Sequence, residues 1–412
     1  MSTNDEIVTY LNLYVQLYAD DTIIMAESPN ELQLALNALS EYCTQWKLEI
    51  NVDKTKIIRF SKRPMQCPVH DFFLNNEKVE VVNSYVYLGP TILSNGKFSN
   101  AIEKQINQAH RALFVIKSRK EKYNLPIDIV LDLFDKMILP ILLYGCEIWG
   151  YEKLGHIETF YKKFLKYILK VNQQTADCMV YGETGTTPLS VIIETRMVCF
   201  WHKISTGLNT KLSYKLLYLL KNLDNENQYS SPWLKNIERI LNSCNMTHVW
   251  LNPNLYQLSW LKKEVMQKLT NAYKQKWLNE INEKRSCRTY KTFKPYPKLE
   301  KYLLLPDSTD RINISKFRCR NSNLPVVTLR YEHLNIPYEN RTCTLCTMGV
   351  VGDEFHYILQ CPFFQVQRQG YLENHFLTNP NRETFSELFQ TENFSTLRKL
   401  SKFIVSINGS LR

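Results

Sequence analysis

The stretch that most limits what this chain can fold into lies near its start. Val15-Gln16-Leu17-Tyr18 and Thr22-Ile23-Ile24-Met25 are short apolar runs joined by Ala19-Asp20-Asp21. Two such runs around a tight turn read as a β-hairpin with paired carboxylates at its tip. Adjacent carboxylates raise each other's pKa unless a cation neutralises them. Mg²⁺ does this where one or two carboxylates hold it and substrate phosphates complete its octahedron. Asp20 and Asp21 are therefore candidate Mg²⁺ ligands and catalytic residues. The ordinary alternative is a surface turn, where Asp is common for local hydrogen-bonding reasons.

The next residues set a fold class. Ser28-Pro29-Asn30-Glu31 offers an N-cap, a first-turn proline and a capping-box glutamate. Leu32, Ala35, Leu36, Leu39, Tyr42, Cys43 and Trp46 then share one helical face, expected to pack on the sheet carrying the acidic turn. Thr55 to Phe60 reads as a strand, Phe72 to Leu74 and Val79 to Val82 as a hairpin around Asn75-Asn76, and Tyr85 to Leu93 as a further strand. From Phe98 the pattern turns helical, with Ile102, Ile106, Ala109, Leu113 and Ile116 at steps of four and three. Pro126 opens a helix through Ile138 that Pro140 interrupts. Thr187-Pro188 and Ser231-Pro232 start others. Arg285 to Pro306, basic with interspersed aromatics, reads as a linker. The class is α+β: a partial β-rich region, then a mostly helical remainder.

A second constellation lies near the end. Cys343, Cys346, His356 and Cys361 form C-x2-C-x9-H-x4-C. Two ligands on a tight turn and two on the following helix or loop suit a tetrahedral Zn²⁺ site. Four protein ligands leave no open position, so such a site is structural and its binding energy helps fold its segment.

The 412 residues carry a formal net charge of +11, which favours a polyanionic partner, nucleic acid or an anionic surface. No apolar run approaches the roughly 20 residues of a membrane-spanning helix, so no membrane partner is expected. Eleven cysteines scattered mostly through apolar stretches suit a reducing, intracellular setting, nucleus and/or cytoplasm. Lys162, Lys163, Lys166 and Lys170, interspersed in one amphipathic helix, are candidate phosphate contacts, although a lysine-rich face is more often simply solvated.

Several motifs stand in a fixed order. Tyr18-Ala19-Asp20-Asp21 is followed by Leu48-Glu49-Ile50-Asn51-Val52-Asp53-Lys54-Thr55-Lys56, by Tyr87-Leu88-Gly89, by Leu142-Leu143-Tyr144-Gly145-Cys146-Glu147-Ile148-Trp149, and by the Cys/His set with Cys361-Pro362 and Arg368. This series resembles the C-terminal part of reverse transcriptases of non-LTR (LINE-type) retrotransposons. The resemblance implies the end of a polymerase palm over residues 1–95, a helical thumb over 96–180, a helical connection over 181–310 and a zinc-knuckle region over 311–412. It implies RNA-directed DNA synthesis, with RNA template and DNA primer or target as partners and Mg²⁺ and structural Zn²⁺ as cofactors. It gives Asp20 the role of bridging the metals and Asp21 that of assisting them. By the same resemblance Tyr18 packs beneath the incoming nucleotide, Lys54 lies near its phosphates, and Tyr87, Leu88 and Gly89 form a turn gripping the primer. Tyr144 and Trp149 are expected to be packing residues.

Two departures stand beside these matches. A polymerase palm needs a third carboxylate on a strand well upstream. Only seventeen residues precede Tyr18, and their acids are Asp5 and Glu6. The expectation is a chain truncated just before the hairpin and unable to polymerise as it stands. The alternative is a nucleic-acid-binding protein derived from such an element, gripping through the basic thumb and the zinc knuckle. The second departure is Lys47, where the family usually has Gly.

Overall fold

The computed structural model describes residues 15–61, 70–152, 154–329 and 336–411. Asp5 and Glu6 lie outside these. The fold is α+β, mostly helical with small sheets. It divides into two compact units: Met1–Gln105, Gly145–Glu152 and Arg196–Leu261, and then Ile106–Tyr144, Lys153–Thr195 and Lys262–Arg412. No helix among the described residues is long and apolar enough to cross a membrane.

In the first unit, β1 (Val15–Tyr18) and β2 (Asp21–Ile24) pair antiparallel as a two-stranded sheet, Tyr18 opposite Asp21. Ala19 and Asp20 form the turn, with Ala19 at φ +52°, in the left-handed region that lets a two-residue turn match strand twist. Helix α1 (Pro29–Trp46) follows. The Ser28 hydroxyl accepts from the Glu31 N–H at 3.3 Å, as its sequence indicates. The Glu31 carboxylate, however, accepts from the Glu27 N–H at 3.1 Å, one residue ahead of the capping-box partner.

Strands β3 (Lys56–Ile58), β4 (Phe72–Leu74) and β5 (Glu77–Val82) form a second sheet in the order β3-β5-β4, with β3 parallel to β5. The β4–β5 hairpin turns at Asn75 and Asn76, both at positive φ, a conformation Asn tolerates because its short side chain bonds locally. Leu36 of α1 joins Ile57, Phe72, Leu74 and Val79 in one buried cluster. The Gln33 amide bonds both polar groups of the Phe73 backbone, at 2.8 and 3.0 Å, extending the edge of β4. So α1 packs on the three-stranded sheet and not on the acidic hairpin. Tyr42 and Trp46, read as part of its buried face, are exposed.

The stretch read as one strand from Tyr85 to Leu93 is two, β6 (Ser84–Val86) and β7 (Thr91–Leu93), folded into a hairpin. Leu88 (φ +50°) and Gly89 (φ +102°) reverse the chain, and the Tyr87 N–H donates to the Pro90 carbonyl at 3.0 Å. Tyr85's alternation with Leu93 conceals that turn, because the turn residues are themselves apolar.

The second unit is helical. Its chain passes from Ile127–Leu133 into a π-turn, Phe134–Ile138, directly before Pro140. The wider turn sets the Leu139 N–H on the Phe134 carbonyl and absorbs a proline that would otherwise break the helix. Pro140 therefore shapes the helix without ending it. The Arg285–Pro306 stretch is no linker. Cys287, Tyr290, Phe293, Lys294, Tyr302 and Leu305 are buried.

Glu183, fully buried, explains why. Arg318 donates Nε and Nη2 to its two oxygens at 2.7 and 3.0 Å. The hydroxyls of Tyr290 and Tyr302 donate to the same carboxylate at 2.8 and 2.6 Å. Lys294 pairs with Glu300, which also lies 3.5 Å from Arg318. Gly182 makes room, since a Cβ there would stand 2.4 Å from the Tyr290 hydroxyl oxygen. Tyr290, Lys294 and Tyr302 of the supposed linker thus serve buried acids. In the C-terminal helix Phe394–Ser410, Leu397, Leu400, Phe403, Ile404 and Ile407 are core, as their spacing indicates.

Two outcomes follow from this packing. Lys47, the C-cap of α1, sits at φ +55°, ψ +38°, where an L side chain costs energy and Gly does not. Lys47→Gly should raise stability by roughly 0.5–1 kcal/mol after the greater chain entropy of Gly is subtracted. A urea midpoint that is unchanged or lower counts against this. Glu183→Gln should cost about 3–5 kcal/mol, because it leaves Arg318 buried against a neutral group. Burial pushes the Glu183 carboxyl up, yet the Arg318 and Lys294 charges outweigh it and hold the carboxyl below its ordinary value. A depressed folded pKa gives stability that is present above the unfolded value, about 4.3, and lost as pH falls through the folded one. The variant should show a flatter loss of stability in acid, read from denaturation midpoints across that range.

Candidate functional site

Two places can carry chemistry, one in each unit. At the hairpin tip Tyr18, Asp20 and Asp21 are all exposed, Tyr18 at 62%. Strand pairing fixes the backbone of Asp21, while Asp20 rides on the turn. Among the described residues no grouping of three or more His, Cys, Asp or Glu forms around these two acids. Two adjacent carboxylates are a partial set for a metal pair, and a two-metal site needs more oxygen ligands than they supply.

Lys54 is exposed on a turn organised by Asn51. The Asn51 side chain accepts from the Lys54 N–H at 2.9 Å, its carbonyl accepts from the Thr55 hydroxyl at 2.9 Å, and the Tyr85 hydroxyl donates to the Lys54 carbonyl at 3.2 Å. Asn51, Lys54 and Thr55 are thus structurally linked, which gives a physical reason for the spacing of Ile50-Asn51-Val52-Asp53-Lys54-Thr55. Tyr87 is half-buried and Leu88 exposed on the β6–β7 turn. Of the apolar stretch around residue 145, Trp149 is buried as expected, while Tyr144 is 52% exposed and is not a core residue.

The lysines of the helix Gly155–Leu169 and its cap fare differently from the reading as phosphate contacts. Lys162 and Lys166 both pair with Asp177, at 2.9 and 2.8 Å, and Lys166 also donates to the Gln173 carbonyl. Lys170 pairs with Glu121 at 2.7 Å. Lys163 is exposed. Most of this positive charge is therefore used inside the fold, on acids too distant in sequence to be seen by helical spacing.

The Cys/His set does converge. The ligand atoms of Cys343, Cys346, His356 and Cys361 all lie within 4.8 Å of one another. Cys343 Sγ is 3.9 Å from Cys361 Sγ, and Cys346 Sγ is 3.5 Å from His356 Nε2. A tetrahedral Zn²⁺ with bonds of about 2.3 Å to sulfur and 2.0 Å to nitrogen would separate such pairs by about 3.8 and 3.5 Å. The donor set and its spacing are compatible with a zinc knuckle.

The backbone explains the convergence. Cys343 N–H donates to the Val350 carbonyl and Gly352 N–H to the Arg341 carbonyl, so Cys343 and Cys346 sit on a short two-stranded turn. The Leu345 N–H points at Cys343 Sγ, 3.4 Å away. His356 opens a π-turn through Gln360 that delivers Cys361. Two residues fix that turn. Asp353 accepts from the His356 N–H at 2.9 Å, and Arg368 donates to the Ile358 and Cys361 carbonyls, both at 2.8 Å. Burial lowers the His356 pKa and pushes the Cys361 thiol up to about 12. Burial thus favours the neutral imidazole, the form in which His ligates a metal, and disfavours a free Cys361 thiolate.

Comparison with known proteins adds to this geometry. Residues 2–92 match the reverse transcriptase (RNA-dependent DNA polymerase) family. An uncharacterised transposon-derived protein of Caenorhabditis elegans is 30% identical over 145 residues, 34% of this chain and 50% of that protein. The RNA-directed DNA polymerase from mobile element jockey of Drosophila melanogaster is 26% identical over 154 residues, 35% of this chain and 16% of that protein. The matches thus span half of one relative and about a sixth of the other. No solved structure matches the chain. The matched segment, which includes the acidic hairpin, is thus similar to a reverse transcriptase region, and the relatives it shares sequence with are mobile-element proteins.

Proposed function

We propose that the chain is the part of a mobile-element RNA-directed DNA polymerase that holds the end of the palm (1–95), the thumb (96–180), the connection (181–310) and a C-terminal zinc-knuckle region (311–412). In the intact enzyme Asp20 and Asp21 contribute to a Mg²⁺ site, Tyr18 and Lys54 face the nucleotide, and Tyr87, Leu88 and Gly89 face the primer. These 412 residues on their own bind nucleic acid and do not extend a primer. The observation that carries this is the carboxylate set at the hairpin: two acids, with no third ligand gathered around them among the described residues. In-line displacement depends on ligands held to within a fraction of an ångström, and each lost ligand costs orders of magnitude in rate. Purified protein given an RNA template, a DNA primer, deoxynucleotides and Mg²⁺ should give no extension. Extension that Asp20→Ala abolishes would overturn this reading.

The second reading, a nucleic-acid binder without catalysis, is favoured by the +11 net charge together with the gathered Cys/His ligands. Zn²⁺, when bound, supplies structural cross-linking and leaves no open position for hydrolysis. Cys343, Cys346, His356 and Cys361 hold it, and Asp353 and Arg368 keep the turn in place. The protein should contain one Zn²⁺ per chain by elemental analysis, falling to none in Cys343→Ser. Its mobility shift with single-stranded RNA or DNA should weaken about tenfold or more as salt rises from roughly 50 to 200 mM, since released counterions drive the binding. Protein with full zinc content that shows no shift at low salt would rule out the binding role.

A further inference from the structure

We propose that Cys178 and Cys287 are a redox couple, which a hydroperoxide converts into a disulfide tying the helix Asp177–Thr184 to the turn Arg285–Cys287. The proposal is independent of the polymerase reading. The two residues are 109 apart in sequence, yet their Sγ atoms lie 3.6 Å apart in the second unit. Both are free thiols, 1% and 0% exposed. Their backbones are anchored separately. Trp277 Nε1 donates to the Cys178 carbonyl at 2.7 Å, and the Cys287 N–H donates to the Lys284 carbonyl at 2.9 Å. The sulfurs therefore meet because two fixed elements aim them at each other, so a bond needs only a small rotation of each side chain.

The surroundings divide the labour between the two. Lys284, paired with Glu280, lies one turn before Cys287. The hydrogen bond with Cys178, outweighing burial, and then Ser286 and the Lys284 charge hold the Cys287 thiol below its ordinary value. Cys178 is pushed the other way by the same bond and by burial. Of the two, Cys287 is the favoured attacking sulfur and Cys178 the resolving one. Access is local. Residues 282–285 are exposed and Ser286 is half-buried, so opening this one short turn between helices admits a small oxidant without unfolding the unit.

The step balances as follows. The Cys287 thiolate attacks a peroxide oxygen, the O–O bond breaks and hydroxide leaves, taking a proton to become water. The resulting sulfenic acid is attacked by the Cys178 sulfur, the S–O bond breaks, and a second water leaves with the Cys178 proton. Two thiols and one hydrogen peroxide give one disulfide and two waters, and two electrons pass from sulfur to oxygen. Closing a loop of this length restricts the unfolded chain and should raise the thermal stability of the unit, reversibly with a thiol reductant.

The test uses the zinc-loaded full chain treated with hydrogen peroxide, then alkylated and digested without reduction. A peptide pair joined through Cys178 and Cys287, short of two hydrogens, is the expected product, with a rise in melting temperature of roughly 5–10 °C that dithiothreitol reverses. Cys178→Ser and Cys287→Ser should each lose both the joined peptides and the rise. Peptide mapping keeps the result separate from oxidation of the Cys/His cluster. If both thiols are still alkylated on denaturing the treated wild-type protein, the proposal is wrong. It is also wrong if the rise survives in both variants, and if neither variant folds, the wild-type peptide map alone decides.

Discussion

A carboxylate that has lost all contact with water must be answered on every side, and Glu183 is the place where this chain meets that demand. Its two oxygens receive a forked pair from Arg318 and one hydroxyl each from Tyr290 and Tyr302. Ser315 donates onward to Tyr302, and Arg318 Nη1 donates to the Phe389 carbonyl. The network therefore ties together the helices Asp177–Thr184, Tyr290–Phe293, Ser308–Arg318 and Arg382–Gln390. Buried ion networks add little net stability compared with apolar packing, but breaking one partner is costly. What the network does here is link the register of the helices around it to the donors that the acid needs.

The two chemical sites stand in contrast because their ligands are held so differently. At the Cys/His cluster, the backbone of a short turn, an aspartate and an arginine fix each donor, and the donors are spaced for a tetrahedral ion before any metal is considered. Preorganisation of this kind lets metal binding add directly to folding. At the hairpin the backbone register is equally well defined, but the carboxylates of Asp20 and Asp21 are exposed on a two-stranded ribbon. Exposure of Leu17, Tyr18, Leu34, Tyr42, Trp46 and Leu48 accompanies it. The small buried cluster around Leu36 supports β3, β4 and β5, not the acidic turn.

Charge in this chain also divides between fold and function. The net excess of +11 is real, yet Lys162, Lys166, Lys170, Lys294 and Arg318 are paired with acids inside the second unit. A lysine on an amphipathic helix is thus no guide to a phosphate contact until its neighbours are known. Lys117-Ser118-Arg119-Lys120, which could pass for a nuclear signal, lies within the helix Ser99–Tyr123 with Lys120 buried.

The sequence by itself determined what depends on near neighbours: the acidic hairpin, the Ser28 cap, the Asn75-Asn76 turn, the helix starts at Pro188 and Pro232, and the Cys/His ligand set. Turn and cap chemistry acts over a few residues, and four metal ligands at fixed spacing have few ways to meet. Only the tertiary structure decided which sheet receives α1, that Leu88 and Gly89 reverse the chain within an apolar run, and that Arg285 to Pro306 is core. The first and last of those outcomes rest on partners far away in the chain, Gln33 with Phe73 and Glu183 with Arg318. Long-range pairing of this sort is governed by burial and by the need to satisfy each buried polar group, and neither has a periodicity that can be read along the chain.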